Sequence, residues 1–101
     1  MGTDNVTDND AITSLLLLHL ENKKIVVINF VENIKLSDSM VSVINFSHCH
    51  MSYEIQIYDD NFIRIKSPDL PLKICDSITD ARNTIDDVLR KIEYSVGFYE
   101  E

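Results

Sequence analysis

Glu54-Ile55-Gln56-Ile57-Tyr58-Asp59-Asp60-Asn61-Phe62-Ile63-Arg64-Ile65-Lys66 is the stretch that decides the fold. Ile55 and Ile57 alternate with polar neighbours, and so do Ile63 and Ile65, which is the period-two pattern of half-buried strands. A three-residue loop, Asp59 to Asn61, sets Ile57 opposite Ile63 and Ile55 opposite Ile65. The other face then sets Tyr58 against Phe62, Gln56 against Arg64 and Glu54 against Lys66, so apolar meets apolar and opposite charges meet. A loop one residue shorter would pair Gln56 with Ile63 and put the faces out of step. The last loop position of such a hairpin favours a left-handed residue, and Asn61 tolerates that conformation. The stretch is therefore an antiparallel hairpin with one apolar face.

Upstream, residues 24–32 read Lys-Ile-Val-Val-Ile-Asn-Phe-Val-Glu, a strand with Ile25, Val27 and Val31 on one face and Val26, Ile28 and Phe30 on the other. Apolar residues on both sides predict a central strand covered on both faces. Residues 40–47 predict a further strand after a turn at Ser37-Asp38-Ser39. Ile12, Leu15, Leu16 and Leu20 recur at helical spacing with His19 on the same side, which predicts a helix over residues 10–21. Asp8 or Asp10 suits its start, and Lys23 and Lys24 suit its end. The competing reading of this segment is a strand from 13 to 20 that turns at Glu21-Asn22-Lys23 into the next strand.

Downstream, Pro68 and Pro71 interrupt the ladder, and Leu72 to Cys75 predict a short edge strand. Ser77 followed by Asp80 resembles a capping box. Ile78, Ala81, Ile85, Val88, Leu89 and Ile92, extending to Val96, form the apolar stripe of a long helix. Asp86 with Arg90, and Asp87 with Lys91, stand at (i, i+4) in the favourable order. Gly97 is placed to end the helix. The fold class is α+β: an antiparallel sheet of four to five strands with an N-terminal and a long C-terminal helix packed on it. Residues 1–8 read as a flexible acidic N-terminus and residues 9–101 as one domain.

The 101 residues include 17 acidic and 9 basic ones, for a net charge of −8. Asp4, Asp8, Asp10, Glu100 and Glu101 stand at the ends, leaving −3 for residues 11–99. Direct nucleic-acid binding is not expected, because it relies on clustered Lys and Arg. An acidic nucleic-acid mimic is an alternative that the nearly balanced body argues against. The two glycines, Gly2 and Gly97, leave no Gly-rich phosphate loop. Apolar runs reach four residues, as from Leu15 to Leu18, far short of a membrane span. The acidic first residues lack the basic region of a signal peptide. A cytoplasmic protein with no membrane contact is expected, with Cys49 and Cys75 as reduced, mostly buried thiols. Low Gly with high Asn, Ile and Asp suggests an AT-rich genome of viral or mobile-element kind.

Ser47-His48-Cys49-His50-Met51 is the one dense run of metal-capable side chains. On a strand, His48 and His50 would share a face and Cys49 would oppose them. Two imidazoles fall short of the three or four ligands of a zinc site, and Cys49 between them has the composition of a nucleophile without its geometry. The plainer reading places His48 to His50 at a strand end or turn between two strands, partly solvated. No cofactor and no catalytic residue is expected. The remaining reading is a small acidic protein-binding module of inhibitor, immunity or anti-defence, adaptor or chaperone type. The alternative is a small metal protein or enzyme centred on His48, Cys49 and His50. Two further expectations follow. The chain forms a two-fold homodimer, because a strand apolar on both faces needs two covering layers. Tyr94, Phe98 and Tyr99 form a partner contact, because aromatic residues are costly to leave in water and are enriched at interfaces.

Overall fold

The computed structural model describes residues 9–36, 38–60, 62–68 and 70–95. Helix α1 (Asn9–Asn22) precedes strands β1 (Val26–Leu36), β2 (Ser39–His48), β3 (Met51–Tyr58), β4 (Ile63–Lys66) and β5 (Lys73–Cys75), and helix α2 (Ile78–Ser95) follows. The five strands form one antiparallel sheet in chain order. The architecture is α+β with both helices on one side of the sheet. The molecule is 21 Å deep along its shortest axis, the depth of one helix layer on one sheet.

The central hairpin has the register that its alternation predicts: Glu54 opposite Lys66, Ile55 opposite Ile65, Gln56 opposite Arg64 and Ile57 opposite Ile63. At its tip the Tyr58 amide donates to the Phe62 carbonyl at 3.2 Å. Asn61 lies outside the described residues. The four isoleucines, with Ile44, Phe46 and Tyr53, are buried beneath the helices. Phe46 and Tyr53 stack with ring centroids 4.8 Å apart.

Segment 10–21 is a helix and not a strand. Ile12, Leu16 and Leu20 are buried, and α1 lies against β1, β2 and β3. It ends in a Schellman motif: the Ile25 amide reaches the Leu20 carbonyl at 3.0 Å and the Lys24 amide reaches the Glu21 carbonyl at 2.9 Å. Lys24 takes the left-handed position at φ 61, where glycine is usual. Ile25 and Leu20 meet in the core, the apolar contact that accompanies this cap.

Helix α2 begins as its capping signal predicts, with the Asp80 amide donating to Ser77 Oγ at 3.0 Å. Ala81, Ile85, Val88, Leu89 and Ile92 are buried against β4, β5 and α1. Val96 and Gly97 lie outside the described residues. Lys91 meets Asp87 at 3.1 Å. Asp86 does not pair with Arg90; it turns instead to α1, where His19 Nε2 and Lys23 Nζ meet its Oδ1 at 2.9 and 3.3 Å.

The reading of β1 as a central strand is overturned: β1 is an edge. Its simple two-face alternation is also broken by irregularities between Val27 and Asn29 and between Val31 and Ile34. Val27 stands opposite Phe46 and Phe30 opposite Ile44, on the helix side, while Val26 and Val31 face away. A bulge slips the alternation by one residue, so continuous apolar sequence arises without burial on both faces.

Candidate functional site

Residues Cys49 and His50 form the two-residue loop between β2 and β3, with φ of 54° and 65°. Positive φ at both positions is the type I′ turn that suits a tight hairpin. The reading of His48 to His50 as a strand end and turn between two strands holds, and the two histidines do not share a strand face. His48 points under the helices and its Nε2 meets Glu93 Oε2 of α2 at 2.6 Å. His50 is exposed, and Cys49 packs half-buried against the core. Among the described residues, no three His, Cys, Asp or Glu side chains gather as a metal site.

Burial, and then the charge of Glu93, pushes the Cys49 thiol up from its ordinary value. A reactive cysteine needs the opposite shift, toward thiolate. Cys75 is raised first by its burial and then by Asp80 and Asp76, against a lowering hydrogen bond with Thr84 Oγ1 at 3.4 Å. Both cysteines are free thiols. The Tyr53 phenol is pushed up to about 12, by burial first and then by the charges of Cys49 and Glu93. Its hydroxyl is buried with no hydrogen-bond partner among the described residues.

A cavity of about 340 Å³ lies where the end of α1 meets α2, lined among others by Lys23, His48, Asp86, Arg90 and Glu93. Asp86 and Glu93 are both held by histidines, so these charges serve to clasp α2 onto α1 and β2. Among the described residues, no cysteine, serine or threonine lines the cavity.

The more telling surface is the face of the sheet opposite the helices, over which no described element lies. Its centre is polar, with Asn45, Glu54, Gln56, Arg64 and Lys66. Arg64 stacks on Tyr58 with Cζ 3.9 Å from the ring centroid and reaches Asp60 at 3.4 Å. Val41 is buried there between its register partners Ile34 and Tyr58, apart from the main core. Four exposed apolar side chains follow one another along β1, with Val26 69% exposed, Ile28 58%, Val31 38% and Phe30 36%, while Leu72 and Ile74 are exposed at the β5 edge. Phe30 is exposed although it faces the helix side.

Tyr94 is 66% exposed on α2, while Phe98 and Tyr99, the other residues expected in a partner contact, lie outside the described residues. Sequence reading missed the residues that engage the histidines, Asp86 and Glu93, because no local spacing links them to positions 67 and 45 residues away. It noted the apolar content of β1 but placed it in the interior. No described helix is long and apolar enough to cross a membrane. Comparison with known proteins yields no matching family model, curated sequence or solved structure.

Proposed function

We propose that this chain acts by protein–protein contact, as a small binding module of inhibitor, immunity, adaptor or chaperone type, with no chemistry of its own. The observation that carries it is the exposed apolar edge strand β1, with Val26, Ile28, Phe30 and Val31 in water. A long hydrophobic edge is a liability for a lone monomer and a template for pairing with another chain. Supporting it, the residue run richest in reactive groups is a hairpin turn whose cysteine is held in the thiol form.

The test is a double variant, Val26→Lys with Ile28→Lys. Both side chains are exposed, so the melting temperature should stay within a few degrees of the parent's. Proteins retained by the immobilised parent from its native cell, and lost by the variant, support the proposal. Equal retention by the two refutes β1 as the contact surface. Stoichiometric zinc or copper in the purified parent, lost in a His48→Ala, His50→Ala variant, would move the protein into the metal-binding class.

A further inference from the structure

We infer that the partner of β1 is a second copy of this chain, joined edge to edge and antiparallel, with Phe30 on the two-fold axis. The inference rests on the reading of β1 as a contact surface and adds to it the occupant and the register.

The hydrogen-bond directions follow from the β2–β3 turn. A two-residue loop at Cys49-His50 makes His48 and Met51 the bonded closing pair, so the even-numbered residues of β2 bond toward β3. The bond from the Asp59 amide to the Met40 carbonyl, 3.1 Å, agrees with that assignment. Odd-numbered residues of β2 then bond toward β1, and their partners there include Asn29 and Val31. Phe30, between them, turns its N–H and C=O away from β2 to the open edge.

Register comes next. Asn29 to Val31 is the regular run between the two irregularities of β1. An antiparallel pairing of identical strands about a two-fold axis sets one residue opposite its own copy. With Phe30 there, Asn29 faces Val31, Ile28 faces Glu32 and Val26 faces Ile34. No like charges oppose each other, and the bulge near Ile28 meets the bulge beyond Val31. Two half-exposed Phe30 rings close over each other on the helix side. The bulges confine pairing to this register, which otherwise slips easily in an apolar strand.

The opposite edge cannot compete. In the same alternation β5 turns only Ile74 outward from its three residues, and Pro71 lies two positions before the strand. Pairing β1 with β5 of another copy would be heterologous and lead to a ring or an open filament, whereas pairing β1 with β1 closes at two copies. From Val26 to Ile34 the strand spans about 26 Å at about 3.3 Å per residue, and the pairing covers its four exposed apolar side chains, Val26, Ile28, Phe30 and Val31.

The experiment uses the full chain. Light scattering across a concentration series should give 23.2 kDa, twice the 11.6 kDa of the chain. The melting temperature of the parent should rise with concentration, and that of Phe30→Lys should not. In a Cys49→Ser background, Phe30→Cys should cross-link to itself under mild oxidation, because a bonded antiparallel pair holds its Cα atoms about 5.5 Å apart, within disulfide reach. Ile74→Cys in the same background should not cross-link. A mass of 11.6 kDa throughout, or cross-linking through Ile74→Cys and not Phe30→Cys, overturns the inference. Either result leaves the contact reading standing if Val26→Lys, Ile28→Lys still abolishes retention of another protein. If that retention also survives, both fall.

Discussion

Removing the hydroxyl of Tyr53 should stabilise this protein, contrary to the usual sign for a truncation in a core. The ring is 2% exposed and stacked on Phe46, and the hydroxyl has no partner among the described residues. A buried polar group left unsatisfied costs about 1–3 kcal/mol. Deleting one oxygen leaves a void on the order of 10 Å³, which costs about 0.2 kcal/mol at 24 cal/mol per Å³. Tyr53→Phe should therefore gain about 1–2 kcal/mol, because relief of the unmet hydroxyl exceeds the void. For a domain of this size that is a rise in melting temperature of at least about 4 °C. A second readout is alkaline stability. The folded phenol titrates near 12 against its ordinary 10, so the proton-bearing form is favoured by folding. That contribution is complete below pH 10 and is lost as pH rises from 10 to 12. Cys49 and Cys75 are raised as well, with the same sign, so their contribution is lost above pH 9. The variant should keep the cysteine part of this decline and lose the tyrosine part, giving a shallower fall above pH 10. Thermal melts at neutral pH and across pH 8 to 12 decide the matter. A melting temperature equal to or below the parent's, with an unchanged alkaline decline, would refute the reasoning.

Other outcomes follow from the same packing. Leu89→Ala should lose about 2–5 kcal/mol in a urea titration, since Leu89 sits in the buried stripe of α2; a loss under about 0.5 kcal/mol would take it out of the core. Lys24→Gly should raise stability by about 0.5–1 kcal/mol, because the left-handed cap position at φ 61 penalises any side chain. Asp86→Ala should cost about 1 kcal/mol or more, since Asp86 joins α2 to His19 and Lys23 of α1 in a half-buried seam. Asp87→Ala, which breaks an exposed pair with Lys91, should cost under about 0.5 kcal/mol. Equal losses for the two aspartates would mean that the inter-helix clasp contributes nothing special.

The parts of this fold that can be read from sequence are those where local chemistry and global packing agree. The hairpin of Ile55, Ile57, Ile63 and Ile65 is such a case, because any other register would bury charge. Helix α2 is another, since its stripe, its Ser77 cap and its length all point the same way. Strand β1 was read correctly as a strand and wrongly as an interior one. Its bulges reverse the face of every residue beyond them, and the sequence around Ile28 contains no glycine or proline to announce the first. The histidine run was read as a strand end or turn, which it is, but its turn type was not legible. Cys49 and His50 are poor turn formers, yet they occupy a turn that asparagine and glycine usually take. Asp86 was assigned to Arg90 by helical spacing, while the folded chain offers it two cations on another helix. Pairings between distant elements leave no trace in spacing.

The strict meander, in which strand order equals chain order, bears on how the molecule comes together in time. Every strand pairing joins sequence neighbours, so each hairpin closes a short loop at small entropic cost. The seam between the helices joins residues 67 positions apart. The sheet can zip outward from the β2–β3 turn while both chain ends are still free, and the helices then settle over a surface already formed. Substitutions at that turn should accordingly change the rate of folding, and those at Asp86 the rate of unfolding, in stopped-flow measurements. During that interval β1 is doubly exposed, on its open edge and on the face awaiting α1, and its two bulges are then what keeps it from pairing indiscriminately.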